Sequence, residues 1–129
     1  MTTTLPITSL YAAVFGLLLI PITIAVGMRR MKTRIAFLGG DDEILLRRMR
    51  SHANFVEYVP LALVLMALAE MNGASAGFMH AAGATLLVSR IVHYVTINLQ
   101  PTAPTRAASM IGTLAVLAAL SGVLIYGRF

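Results

Sequence analysis

Cysteine is missing altogether. That excludes disulfides, thiolate metal sites and cysteine nucleophiles, so any thiol chemistry must use a thiol carried in by a substrate. Acidic residues are few, five against ten Lys and Arg. Charge of either sign is scarce at 12%, while hydrophobic residues reach 58% and mean hydropathy is +0.83. This lies well outside the soluble globular range and reads as an integral membrane protein in one domain over residues 1–129. Met1 to Leu5 hold no Lys or Arg, so the positive n-region of a cleavable signal peptide is not expected. The net charge of +5 does not point to nucleic acid. The basic residues hug the ends of apolar runs, and no interleaving with aromatics appears.

What is present is four apolar runs separated by short polar connections. Residues 5–28 carry no charge, and at 1.5 Å per residue they easily span a hydrocarbon core of about 30 Å. Pro6 suits a first helical turn, and Pro21 lies inside the span, where it frees a carbonyl and is expected to bend the helix. A basic segment follows, broken by Gly39-Gly40-Asp41-Asp42-Glu43, a turn and then an N-cap for the next helix. The predicted helices cover about 5–28, 42–71, 76–99 and 104–127, the last starting near Pro104 or Thr105, with Thr105 as a candidate cap. Alternation of spans puts nine of the ten Lys/Arg residues on one side: seven between Arg29 and Arg50, together with Arg90 and Arg106. Only Arg128 falls on the other. The positive-inside rule then places both long loops in the cytoplasm and both termini outside, in a cytoplasmic (inner) membrane.

Two polar stripes interrupt the apolar pattern. On a helix at 100° per residue, Arg47, Arg50, Asn54, Glu57 and Leu61 fall within roughly 80° of one another, with Arg48 and His52 opposite, facing headgroups or solvent. Arg90, His93, Tyr94 and Ile97 share a face of the third helix, and Arg106 opens the fourth on the same membrane side. Short loops make the helices antiparallel, so Arg50, Asn54, Glu57, Arg90, His93 and Arg106 are expected to gather as a basic basin at the inner membrane edge. Guanidinium groups there suit carboxylates and would favour a bound thiolate. Lipid would deliver an apolar co-substrate. A competing reading makes Arg50, Asn54 and Glu57 an internal ion network holding helices together, and Arg90 with His93 an interfacial pair. His80 stands alone as a structural residue. The small residues Gly112, Ala115 and Gly122 offer close helix contact. No metal site is expected.

The run Arg50-Ser51-His52-Ala53-Asn54-Phe55-Val56-Glu57-Tyr58-Val59-Pro60 resembles the second-helix signature of the membrane-associated proteins in eicosanoid and glutathione metabolism, the MAPEG family. Arg90-Ile91-Val92-His93, then Pro101, Pro104 and Arg106, is similar to the third-helix pattern of its microsomal glutathione transferases. The resemblance covers nearly the whole chain and fits a bacterial-type member. It implies an all-α four-helix transmembrane bundle assembled as a homotrimer, with glutathione as co-substrate and sites between subunits. It assigns Arg50, Asn54, Glu57, Arg90 and His93 to glutathione binding, with Tyr58, Tyr94 and one of Arg29 or Arg30, here Arg30, beside them. It puts Arg106 at the thiolate as the catalytic residue. Ile97 stands where many relatives carry tyrosine. The implied activity is transfer of glutathione to lipophilic electrophiles, or reduction of lipid hydroperoxides. Alternatives are a non-catalytic lipid-binding trimer and, last, a small multidrug transporter, whose first-span Glu is missing here.

Overall fold

The structure, a computed structural model, describes residues 4–127. Arg128, on which the far side of the charge count rests, lies outside the described residues, as do Met1 to Thr3. Four helices make up the fold: α1 (Pro6–Thr33), α2 (Glu43–Met71), α3 (Ala76–Leu99) and α4 (Thr105–Tyr126). α3 has the bounds expected from the sequence. α1 runs five residues further than its uncharged stretch, because Arg29, Arg30 and Lys32 are as helix-compatible as the apolar residues before them. It stops where Arg34 turns left-handed at φ 57°. The helix continues unbroken through Pro21.

Caps explain the remaining ends. Asp42 takes the N-cap of α2, its carboxylate accepting from the Leu45 N–H, and Ser75 does the same for α3 through Phe78. α4 starts at Thr105, as expected, but Thr105 does not cap it. Pro104 occupies its N-cap with no side-chain bond, and the Thr105 hydroxyl instead meets the Thr96 hydroxyl at 2.9 Å. α1 has no cap of its own, since Leu5 offers no acceptor. Glu70, from the last turn of α2, supplies one across the bundle, its two carboxylate oxygens accepting from Ile7 N–H at 2.9 Å and Thr8 N–H at 2.8 Å.

α2 packs on all three other helices, α3 packs on α1 and α4, and α1 and α4 do not touch. The core is built from Phe15, Phe55, Met66, Met79, Leu86 and Leu120, with Phe15 and Phe55 edge to face at 5.9 Å. Unlike a soluble bundle, this one is apolar on its outer surface as well as in its core. Leu17, Ile20, Val64 and Leu114 are exposed, while Ser89, Arg90, His93 and Thr113 are buried. That is the arrangement expected when the outer solvent is hydrocarbon. α1, α2 and α4 are each long and apolar enough to cross a membrane. α3 carries Arg90 and His93 and buries them inside the bundle.

Both ends of the bundle are tied. At one end Arg29 grips Asp42 with two bonds, Nε to Oδ1 at 3.0 Å and Nη2 to Oδ2 at 2.7 Å. Arg48, expected to face headgroups or solvent, turns inward and donates to the Ala25 carbonyl of α1 at 2.8 Å. At the other end His80 is not alone. The Tyr11 hydroxyl donates to its carbonyl at 3.1 Å, and the Tyr11 ring lies edge-on to its imidazole.

The Arg29 guanidinium, helped by the Leu45 N–H, holds the Asp42 carboxyl below its ordinary value. A carboxyl whose pKa is lower folded than unfolded stabilises the fold above the ordinary carboxylate range and ceases to do so as pH falls through its folded value. Thermal melting of the detergent-solubilised protein is therefore expected to worsen on acidification below about pH 4, and Asp42→Asn should flatten that acid limb.

Candidate functional site

The polar residues singled out by the sequence divide into an outer and an inner set. α2 buries Ser51, Phe55, Val59, Ala62 and Met66, and the helical repeat then turns Arg50 and Glu57 onto the outer surface of the protomer, with Asn54 half-buried between them. Glu57 stands fourteen residues from either end of α2, at the middle of a membrane-length helix. Among the described residues neither Arg50 nor Glu57 belongs to an ion pair; the pairs are Arg29–Asp42 and Arg47–Glu43. Asn54 donates to the Arg50 carbonyl, one turn back. The internal ion network therefore does not form.

The inner set lies on α3. Arg90 is 2% exposed and His93 3%. The Arg90 guanidinium sits over the Tyr58 ring, 5.5 Å from its centroid, a cation–π contact strengthened by burial. Its Nη2 reaches the Met110 sulfur of α4 at 3.5 Å, and its Nε–H is buried without an acceptor. His93 Nδ1 lies 3.0 Å from the Ser109 hydroxyl, which gives its own proton to the Arg106 carbonyl. His93 Nε2 is also buried without a partner. α3 thus carries two buried, unpartnered polar atoms one turn apart.

One protomer does not gather the six residues expected in a common basin. Arg50, Glu57 and Arg106 are exposed while Arg90 and His93 are enclosed, because α2 cannot present its stripe outward and also to α3. The Arg106 backbone joins the His93 chain, whereas its side chain lies at the surface and donates to the Pro101 carbonyl at 3.3 Å. Arg30 braces the α1–α2 loop through the carbonyls of Ile35, Ala36 and Leu38. Tyr58 supports Arg90. Tyr94 lines a cleft of about 160 Å³ with Arg90, Ile91, Phe55 and the α1 residues Leu18, Pro21 and Ile22. Ile97 is buried in the bundle.

Ser109 and Glu70 were not anticipated. Ser109 sits one turn into α4, where a hydroxyl in an apolar helix looks like ordinary back-bonding to the preceding turn. For Glu70 the signal was available: an acid in the last turn opposes its own helix dipole unless another helix begins beside it.

Comparison with known proteins agrees with this architecture. A profile of the MAPEG family matches residues 8–126. The inner membrane protein YecN of Escherichia coli strain K12 is 41% identical over 88 residues, 68% of this chain and 67% of that protein. The protein of the same name in Escherichia coli O6:H1 strain CFT073 matches to the same extent. With the profile spanning all four helices, and with the α2 and α3 residues that carried the resemblance set in an all-helical bundle with a lipid-compatible surface, the chain belongs to the MAPEG family of membrane proteins.

Proposed function

We propose that the protein is a glutathione-dependent transferase or peroxidase of an inner membrane, acting on lipophilic electrophiles or lipid hydroperoxides. The observation that carries this reading is the outward stripe that runs from Arg50 through Asn54 to Glu57 at the middle of α2, with no ion pair inside the protomer for Arg50 or Glu57 among the described residues. A carboxylate such as Glu57, at the middle of a helix apolar and long enough to span a membrane, is too costly to face hydrocarbon. A second copy of the chain covering the stripe, in a homotrimer, turns it into the wall of a site between subunits. Such a wall suits a peptide that carries two carboxylates, an amino group and a thiol. Arg50 takes a carboxylate, Glu57 the amino group and Asn54 the peptide, with Arg106 contributing positive charge at the thiolate and Tyr58 and His93 behind α2. Arg30 stays in its loop, and Arg90, enclosed within the protomer, is not required to touch the peptide. The cluster of bases around the α1–α2 connection, with Arg106 at the end of the α3–α4 connection, favours a cytoplasmic location for both, where glutathione is available. The relative named as an inner membrane protein supports the location.

Calorimetric titration of the solubilised protein with glutathione tests the reading, with thermal melting alongside. Saturable binding should raise the melting midpoint by mass action. Arg50→Gln and Glu57→Gln should each weaken binding by roughly tenfold or more, the scale of a charge-assisted hydrogen bond, and leave the unliganded midpoint within about 2 °C, since neither side chain is paired in the fold. Arg106→Ala should suppress conjugation of a chlorodinitrobenzene substrate more than it weakens binding. A melting midpoint indifferent to glutathione, with lipid co-purifying, would sink the proposal in favour of a lipid-binding trimer.

A further inference from the structure

We infer that the α1–α2 connection is a docking surface for anionic phospholipid, with Phe37 and Leu38 inserted among the first acyl carbons and Lys32 and Arg34 paired with headgroup phosphates. The surface uses none of the residues of the α2 stripe and does not depend on the glutathione reading.

The connection is braced from within. One nitrogen of the Arg30 guanidinium donates to the carbonyls of Ile35, Ala36 and Leu38 at 3.2, 3.1 and 3.0 Å, and the other reaches the Met49 sulfur of α2 at 3.3 Å. Wrapping the chain around that group takes Arg34 and Leu38 into the left-handed region, at φ 57° and 58°, a conformation that is costly for residues other than glycine. Ile35 turns in against Gly40. Phe37 and Leu38 turn out, 85% and 78% exposed. An aromatic ring and a leucine side by side, held outward on a strained turn, find no cover in the protomer, so their cover lies outside it.

Depth identifies the cover as lipid. The uncharged part of α1 already matches a hydrocarbon core of about 30 Å. Arg29 to Thr33 rise about 7 Å beyond it, which puts the connection in the headgroup layer. Charge identifies which lipid. The segment from Arg29 to Arg50 holds seven bases against three acids. Two of the acids pair with Arg29 and Arg47, which leaves Asp41 as the remaining carboxylate. Lys32 and Arg34 are exposed and belong to no ion pair among the described residues. Arg34 also lines a shallow hollow of about 290 Å³ with Arg30, Met31, Ile35 and Ala36, open to an approaching phosphodiester. Apolar tips beside bases at the interface suit an anionic membrane surface, the tips burying apolar area and the bases drawing the phosphates. A second copy docking through the same surface would set base against base.

The chain has no tryptophan, so Phe37→Trp sets a single fluorescent reporter at the tip of the connection, where the side chain packs on nothing that the exchange would disturb. The full-length variant is reconstituted in nanodiscs of phosphatidylcholine and phosphatidylglycerol, with bromine near the glycerol end of the acyl chains of one lipid or the other. The indole emission is expected to be blue-shifted and shielded from aqueous iodide. Brominated phosphatidylglycerol should quench it roughly fivefold more than brominated phosphatidylcholine at equal mole fraction, the scale of one base at an anionic surface. Adding Lys32→Gln and Arg34→Gln should bring the two lipids level. An indole open to iodide overturns the inference, and so does equal quenching by the two lipids in Phe37→Trp alone. Emission shielded from both iodide and bromine overturns it as well, and assigns the tip to a contact between subunits. The comparison of the two lipids keeps every base in place, so it stands whether or not the triple variant folds.

Discussion

Replacing Gly83 by valine is expected to cost the fold about 3 kcal/mol, the upper part of the range for overpacked interiors. A Cβ at this position would lie 2.3 Å from the Tyr11 ring, with three ring carbons inside 2.6 Å. The ring cannot swing aside, because Tyr11 is 9% exposed and its hydroxyl is fixed at the His80 carbonyl. α1 would have to lift off α3 along that contact. Gly112 provides the contrast. A Cβ there meets the Ser89 hydroxyl oxygen at 2.3 Å and the Ser89 Cβ at an ordinary 3.5 Å, so a rotation about one side-chain bond relieves it, and Gly112→Ala should cost under about 1 kcal/mol. At Gly16 and Gly122 nothing lies within 4 Å, and alanine should be neutral. Denaturant titration of the four variants in one detergent checks the order; a Gly83→Val protein as stable as wild type would contradict the packing described.

Glu70→Ala is expected to destabilise the fold by about 1–2 kcal/mol, the cost of losing a helix cap. Two N–H groups in the first turn of α1 end on this carboxylate, and Leu5 cannot replace it. Glu70→Gln keeps one acceptor oxygen and should recover about half the loss. Hydrogen exchange localises the effect: protection should fall first at Ile7, Thr8 and the following turn of α1, on a different helix from the substitution. An effect confined to the end of α2 would show that the cap is not made.

Much of this fold is legible in the sequence, because membrane helices announce themselves by uncharged length, and because Asp42, Ser75 and the Asn72-Gly73 turn carry their own local chemistry. What could not be read is whatever depends on a second helix. Arg48, on the face opposite the Arg50 stripe, looks like a surface residue until α1 brings the Ala25 carbonyl to it. Gly83 looks like any small residue in an apolar helix until Tyr11 is laid against it. Glu70 belongs to the same class.

The candidate site divides along the same line. Helical periodicity placed Arg50, Asn54 and Glu57 on one stripe, and that stripe is present. Within one protomer this stripe does not meet Arg90 and His93, because α2 spends its inward face on Phe55, Val59 and Ala62. Which residues lie on a helix face is a local property. Which way that face points is decided by the competition between apolar and polar sides for the core, and in α2 the apolar side won.

The two ties on α1 bear on how the bundle can open. Glu70 holds one end of this helix to α2, and Asp42 with Arg48 holds the other, so α1 behaves as a beam pinned at both supports. It cannot swing open like a door. Widening the gap beside α3 requires the beam to bow at mid-length, where Pro21 has already removed a rung of the hydrogen-bond ladder. Any opening of that gap is thereby confined to the middle of the helix, beside Pro21.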